Sequence, residues 1–178
     1  MSGRAPLDPT LANAFIKTAA AHGDAPLFDA LAAAAERASE PEEHYRYLYA
    51  LGDFRELPLI DRGLQLALSP QLRSQDTALY LARFFVNSAA RSRAWAFLTA
   101  HWTSLEPKIS IAGGDTNLVR SMSSFCDAGA REQITSFFAE HQLPGAARTL
   151  QQTMEQINNC IELREKQAPA VEAWLAVR

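Results

Sequence analysis

The sequence lacks the features that identify three common classes of protein. Its 178 residues carry a formal net charge of −3, whereas a broad nucleic-acid-binding surface usually needs an excess of basic residues. It has no run of about 18 uncharged apolar residues, so we expect no membrane span. The first ten residues, MSGRAPLDPT, lack the apolar core of a signal peptide. Composition therefore argues against nucleic-acid binding, against a membrane span and against a leader within this sequence.

Motifs that carry catalysis are also missing. The sequence contains no H-E-x-x-H pair, no C-x-x-C, no G-x-S-x-G and no phosphate-binding loop. Glu43-His44 and Glu140-His141 are adjacent pairs, and adjacent residues do not share a helical face. We therefore expect packing or surface roles rather than metal binding for all four histidines, which are His22, His44, His101 and His141. Without a catalytic constellation, the chain by itself is not expected to be an enzyme.

Cysteine is scarce, with only Cys126 and Cys160. We favour two buried thiols, because free cysteine is among the most buried residue types. A disulfide between the two is the alternative. Two cysteines do not fix the compartment, so localisation stays open, with a slight preference for the cytoplasm.

Amphipathic helical patterns are abundant, and residues 69–109 show them best. Ser69-Pro70 has the cap and proline typical of a helix start, Asn87-Ser88 is a polar link, and Glu106-Pro107 is expected to end the unit. Two apolar stripes occupy the helices between these points: Leu79, Ala82, Phe85 and Val86, then Trp95, Leu98, Trp102 and Leu105. The stretch therefore predicts two helices paired as an αα-hairpin.

Most of the chain repeats this design. Helix starts are predicted at the capping residues Asp8, Asp24, Ser39, Asp53 and Asp115 or Thr116. The first helix is expected to bury Leu11, Phe15 and Ala19 and to end at His22-Gly23, with the glycine in the left-handed conformation.

Two later segments complete the pattern. The run KISIAGGD, residues 108–115, is predicted to be an extended loop. A last long helix starts at Leu143-Pro144 and is broken or kinked at Pro169.

No segment keeps a strand pattern, so the fold class is predicted to be all-α. Short helices joined by tight capped turns are typical of an α-solenoid of antiparallel hairpins, similar to HEAT or armadillo arrays. We interpret residues 1–178 as a single helical-repeat domain.

A family resemblance rests on the order of four segments. RSQD at residues 73–76 is followed a helix later by AWAFL at 94–98, then by NLVR at 117–120 and by RTLQQ at 148–152. In that order they resemble the C-terminal helical domain of M1 zinc aminopeptidases, the group that includes the puromycin-sensitive and endoplasmic-reticulum enzymes. The N-terminal helices are similar to the preceding part of that domain.

The resemblance implies that residues 1–178 are the C-terminal part of a larger enzyme and that their role is non-catalytic. In the family, zinc is held by H-E-x-x-H and a downstream glutamate, and G-x-M-E-N grips the substrate amino terminus. Both motifs belong to an upstream catalytic domain and both are absent here. The implied role is a cap that encloses the active-site cavity and helps to select and gate peptides. The implied partners are the parent's zinc-containing catalytic domain and the peptide substrate.

Candidate peptide contacts are three helix-borne cations, Arg73, Arg120 and Arg148, because arginine pairs well with a carboxylate. The alternative is that each anchors a neighbouring helix through Asp76, Glu155 or backbone carbonyl groups. A different class of function also stays open, in which the chain is a free-standing helical scaffold that binds a protein or peptide.

Overall fold

The computed structural model describes residues 8–176, which form ten α-helices connected by short turns and 3-10 segments. No strand occurs in this range, so the all-α prediction is confirmed. The helices are α1 Pro9–Ala21, α2 Ala25–Arg37, α3 Pro41–Ala50, α4 Leu57–Leu66, α5 Thr77–Val86, α6 Arg91–Ala100, α7 Trp102–Ile109, α8 Gly114–Ser121, α9 Ala128–Glu140 and α10 Ala147–Ala176. The 3-10 segments are Leu51–Asp53, Ser74–Asp76, Ile111–Gly113, Met122–Ser124 and Pro144–Ala146.

Nine of these helices contact one another in two rows, and α7 packs on α5. In the first row, α1, α3, α5, α8 and α10 follow one another as neighbours. In the second row, ion pairs join α2 to α4 and α4 to α6, and the Trp95 and Phe137 rings, 5.4 Å apart, join α6 to α9. Helix α2 packs on α3, α4 and α6 on α5, and α9 on α10, so the core lies between the rows.

Helix α5 lies at the centre of this core. Tyr80, Leu81, Phe84 and Phe85 are all fully buried on it, and the Tyr80 hydroxyl donates to the Gly63 carbonyl at 2.8 Å. A Cβ atom at Gly63 would lie 2.7 Å from Phe84 Cζ. Glycine at this position therefore lets α4 approach the aromatic face of α5.

Two predicted apolar stripes are wrong in part. Leu79 and Val86 of α5 are exposed, because this helix is apolar on nearly every side and spacing alone does not select its buried face. In α1, Ala12 and Ala20 are buried, whereas Leu11 and Phe15 are 52% and 61% exposed. Ile16 also packs against the core, whereas Ala19, the third residue predicted to be buried, is exposed.

The turn between α1 and α2 lies at the predicted position, but glycine is needed there for a different reason from the one predicted. Helix α1 ends at Ala21, but Gly23 is not among the residues with positive φ. Glycine is required there for space, because a Cβ would lie 2.6 Å from Leu27 Cδ2 and 2.9 Å from Phe54 Cε1. The left-handed glycine of the described chain is Gly113, with φ 75°.

Helix caps agree with the sequence at the first two helices. Asp8 Oδ1 accepts from the Leu11 amide at 3.3 Å. Asp24 Oδ1 accepts from the Leu27 amide at 3.1 Å. Both starts are confirmed, because each carboxylate bonds to the amide three residues ahead, as an N-cap does.

The next two predicted caps are wrong. The N-cap of α3 is Glu40 rather than Ser39, and it makes no side-chain cap bond. Asp53 closes a 3-10 turn instead of opening a helix, and its carboxylate pairs with Arg83 at 3.1 Å. Helix α4 begins only at Leu57. The Asp53 carboxylate, which the local sequence predicts to cap a helix, therefore forms a tertiary ion pair with Arg83 instead.

The boundaries of the predicted hairpin also shift. Helix α5 begins at Thr77, after a 3-10 turn, rather than at Ser69-Pro70. Pro107 lies inside α7, which continues to Ile109. The segment expected to be an extended loop, residues 108–115, is largely helical. It contains the end of α7, the 3-10 turn Ile111–Gly113 and the start of α8.

The two cysteines form a disulfide, so the preference for free thiols was wrong. Cys126 and Cys160 have Cα atoms 5.3 Å apart, within the usual range for a disulfide. The bond links the turn before α9 to the middle of α10. Helix packing brings the two together across 34 positions of sequence, which no local pattern reveals.

Helix α10 is the longest helix, with 30 residues, and it continues through Pro169 without ending there. Its first half packs on α8 and α9, and its side chains beyond Ile161 are mostly exposed. Within residues 8–176, no helix combines the length and apolarity needed to cross a bilayer.

Candidate functional site

Arg73 is held by a hydrogen-bonded network that joins α3 to the turn before α5. Its Nε donates to Asp76 Oδ2 at 2.7 Å, and its Nη2 donates to the Tyr45 hydroxyl at 2.6 Å. The Tyr45 hydroxyl in turn donates to Asp76 Oδ1 at 3.0 Å. The hydrogen bond to Asp76 raises the pKa of the Arg73 guanidinium. Three mutually bonded side chains therefore fix the direction of this cation.

Burial within the network is uneven. The Asp76 side chain is only 6% exposed, whereas that of Arg73 is 58% exposed. The carboxylate thus belongs to the interior and the guanidinium stays accessible to solvent. This arrangement combines the anchoring role through Asp76 with a surface that another molecule can reach.

A groove of about 550 Å³ runs beside Arg73, between α2, α3 and the segment that follows α4. Its floor is apolar and consists of alanines from α2 and leucines from α3, the 3-10 turn and the following segments, namely Ala32, Ala35, Leu48, Leu51, Leu66 and Leu72. Its rim is polar and includes Glu36, Glu40, His44 and Arg73. We call this the α2/α3 groove. An apolar floor with a few polar rim groups is the usual form of a site for an organic ligand.

His44 is positioned by the backbone of α2. Its Nδ1 lies 2.8 Å from the Ala35 carbonyl oxygen, and a carbonyl can only accept, so Nδ1 carries the proton. The ring also contacts the Tyr45 ring edge-on at 5.3 Å. The imidazole is therefore a fixed element of the rim, which sequence reasoning missed because Glu43-His44 showed no recognisable motif.

The structure does not gather the three candidate arginines at this groove. Arg120 on α8 and Arg148 on α10 are exposed, and neither lines the α2/α3 groove. Their helices contact each other. Within residues 8–176 neither side chain has an ion pair. A peptide-binding role for all three stays a prediction.

The remaining histidines have packing or surface positions. The His101 ring lies 4.6 Å from that of Phe97, and the His141 ring lies 4.4 Å from that of Phe137. His22 is exposed. Across residues 8–176, no group of three histidine, cysteine or acidic side chains is arranged to hold a metal ion.

Comparison with known families gives one match over most of the chain. Residues 1–159 match the family described as the ERAP1-like C-terminal domain. The match includes the network around Arg73, the α2/α3 groove and most of the first half of α10.

Individual relatives are aminopeptidases. The chain is 28% identical over 131 residues to Aminopeptidase M1-C of Oryza sativa subsp. japonica, covering 73% of this chain and 15% of that protein. It is 25% identical over 146 residues to the glutamyl aminopeptidase of Mus musculus, covering 79% and 15%. It is 25% identical over 142 residues to endoplasmic reticulum aminopeptidase 2 of Homo sapiens, covering 76% and 14%. The chain thus spans about 15% of the length of these relatives.

Proposed function

The chain belongs to the ERAP1-like C-terminal domain family of M1 aminopeptidases, and on that premise we propose that it is the cap domain of such an enzyme. It encloses the active-site cavity of a catalytic domain and helps to select and gate peptide substrates. The single observation that carries this proposal is the match over residues 1–159. The catalytic domain supplies the zinc and the peptidase chemistry, and this chain supplies shape and contacts.

The pattern of helix contacts supports a solenoid. Within each of the two rows the helices follow one another in chain order. Each helix of the second row packs on a helix of the first row. This is the arrangement expected of stacked helical hairpins, which present an extended surface for binding. We propose that the first row, α1–α3–α5–α8–α10, provides one such surface.

Exposed apolar side chains support attachment to a larger protein. Leu11 and Phe15 lie one helical turn apart on α1 and both are more than half exposed. On α10, Val171, Trp174 and Leu175 are similarly exposed and lie close together in sequence. Large apolar side chains exposed together on one helix mark surfaces that contact other protein. We infer that these two ends of the chain pack against further parts of the parent enzyme.

Peptide contact is proposed for the α2/α3 groove. Its apolar floor accepts an apolar side chain, and the Arg73 guanidinium lies at the rim in a direction fixed by Asp76 and Tyr45. A carboxylate on the bound peptide would pair with that guanidinium. Arg120 and Arg148 are proposed as further contacts on the exposed surfaces of α8 and α10.

The test compares substrates of different length in the full-length parent enzyme. We expect Arg73→Gln to raise KM for peptides of eight or more residues by roughly tenfold, the loss expected for one charge-assisted contact. A single aminoacyl chromogenic substrate is too short to reach the cap, so its kcat and KM should not change. Arg93→Gln is the matched control, because Arg93 pairs with an exposed carboxylate on α4 and does not line the α2/α3 groove.

Two results would count against this role. Equal effects of Arg73→Gln on the long and the short substrates would indicate general damage rather than substrate selection. Unchanged kinetics on every substrate would remove Arg73 from the peptide path. Circular dichroism of the variant checks that the fold survives when the buried Asp76 loses its partner.

A further inference from the structure

The Cys126–Cys160 disulfide lies beside a cavity and outside the hydrophobic core. The cavity has a volume of about 380 Å³ and lies between the start of α9 and the second half of α10. Cys126 is part of its lining, together with Arg164 and Ala168 of α10. Both cysteines are only partly buried, and neither belongs to the core. We call this space the α9/α10 cavity. A small solute can therefore reach Cys126 while the helices stay folded.

The two sulfur atoms have different surroundings. Cys126 directly precedes Asp127, the N-cap of α9, whose Oδ1 accepts from the Ala130 amide at 2.7 Å. The Cys126 carbonyl accepts from Arg164 Nη1 at 3.3 Å, so a guanidinium also lies close to this residue. A helix N-terminus and a neighbouring cation both stabilise a thiolate. Cys160 lies in the middle of α10, where the backbone amides are bonded within the helix.

The disulfide attaches α10 at the point where its packing ends. The first half of the helix packs on α8 and α9, and Ile157 is fully buried there. After Ile161 most side chains are exposed. The disulfide at Cys160 and the Arg164 hydrogen bond, one helical turn later, both join α10 to the turn before α9. Loss of the covalent bond would therefore loosen the second half of α10 and leave the rest of the core intact.

We propose that this disulfide is a redox switch, which a small thiol opens through the α9/α10 cavity and which controls how firmly the second half of α10 is held. The switch does not depend on the cap role, because the disulfide, the cavity and α10 all belong to this chain.

Opening takes two exchange steps. The thiolate of the reductant attacks the Cys126 sulfur, because the cavity gives access to that residue and access decides which sulfur is attacked. A new bond joins these two sulfurs, the Cys126–Cys160 bond breaks, and the Cys160 sulfur leaves with the electron pair and takes a proton from water. A second reductant thiolate attacks the reductant's sulfur in the mixed disulfide and displaces the Cys126 thiolate. Two electrons pass to the protein, and the two reductant molecules leave joined as a disulfide.

The first test uses the unmodified, oxidised 178-residue chain with glutathione at neutral pH and without denaturant. We expect reduction of the folded chain, and mass spectrometry after acid quenching should find the mixed disulfide on Cys126. Hydrogen exchange of the reduced chain should be roughly tenfold faster at the amides of residues 161–168, because local opening there costs less free energy. The amides of α5, in the centre of the core, are the internal control and should exchange at an unchanged rate.

The second test compares the two cysteines one at a time. Cys160→Ser leaves Cys126 free, and Cys126→Ser leaves Cys160 free. At pH 7 we expect iodoacetamide to alkylate Cys126 roughly tenfold faster than Cys160, since alkylation follows access and thiolate character. Arg164→Gln should slow the alkylation of Cys126. Lys166→Gln is the matched control and should not, since Lys166 pairs with an exposed glutamate.

Three results would overturn the proposal. Reduction by glutathione only after denaturant is added would show that the bond is closed to thiols in the folded chain. Unchanged hydrogen exchange along α10 after reduction would show that the bond controls nothing there. A mixed disulfide on Cys160, or equal alkylation of the two cysteines, would remove the assigned path through the cavity. The first two results come from the unmodified chain, so they stand even where a cysteine variant fails to fold.

Discussion

The disulfide offers a quantitative test of how the last helix is held. Replacing Cys126 and Cys160 together by serine opens a loop whose ends are 34 residues apart in sequence. In the chain-entropy model, a crosslink of that span destabilises the unfolded chain by about 4 kcal/mol. We therefore expect the double variant to lose roughly 2–4 kcal/mol of unfolding free energy, since measured values often fall below the model.

Urea denaturation followed by tryptophan fluorescence measures this loss. Reductant is the internal control, because it should lower the stability of the unmodified chain to that of the double variant and leave the variant itself unchanged. Equal unfolding free energies for the oxidised chain and the variant would refute the reasoning. They would mean that the contacts of α10 with α8 and α9 hold it in place without the covalent link.

Two further predictions concern packing and pH. Gly63→Ala places a Cβ 2.7 Å from Phe84 Cζ, so urea denaturation should show a loss of about 1–3 kcal/mol. Gly129→Ala, whose Cβ would meet only Asp127 at 3.5 Å, should change stability by no more than about 1 kcal/mol and not lower it. The free energy of unfolding should also fall from pH 10 to pH 12. In the unfolded chain a tyrosine has a pKa near 10, whereas the pKa of folded Tyr49 is about 12, so ionisation in this range favours the unfolded state. Tyr49→Phe should reduce that fall, and an unchanged alkaline profile would contradict the burial of Tyr49.

Local sequence predicts most of the helices and misjudges which faces they bury. The caps at Asp8 and Asp24 act within three residues, so the chain itself specifies those starts. Leu11 and Phe15 looked like core residues because of their size and spacing, but α1 packs on the core through Ala12 and Ala20. Which face of a helix is buried depends on the neighbouring helices.

The candidate site could be predicted only in part for the same reason. Arg73 and Asp76 are three residues apart, and their bond follows from that spacing. The third member, Tyr45, comes from α3, 31 residues before Asp76, and the α2/α3 groove exists only after the helices pack. The disulfide between Cys126 and Cys160 is long-range in the same sense. Each of these features depends on tertiary contacts that helical periodicity does not encode.

The central claim is that this chain works as the cap of a larger aminopeptidase. Immunoblotting of the source cells with an antibody to this chain tests it most directly. The account predicts a band several times larger than 19.6 kDa, with aminopeptidase activity that co-purifies with the band, is lost with a chelator and returns with zinc. A band at 19.6 kDa, separate from any such activity, would contradict the account and indicate a free-standing helical scaffold.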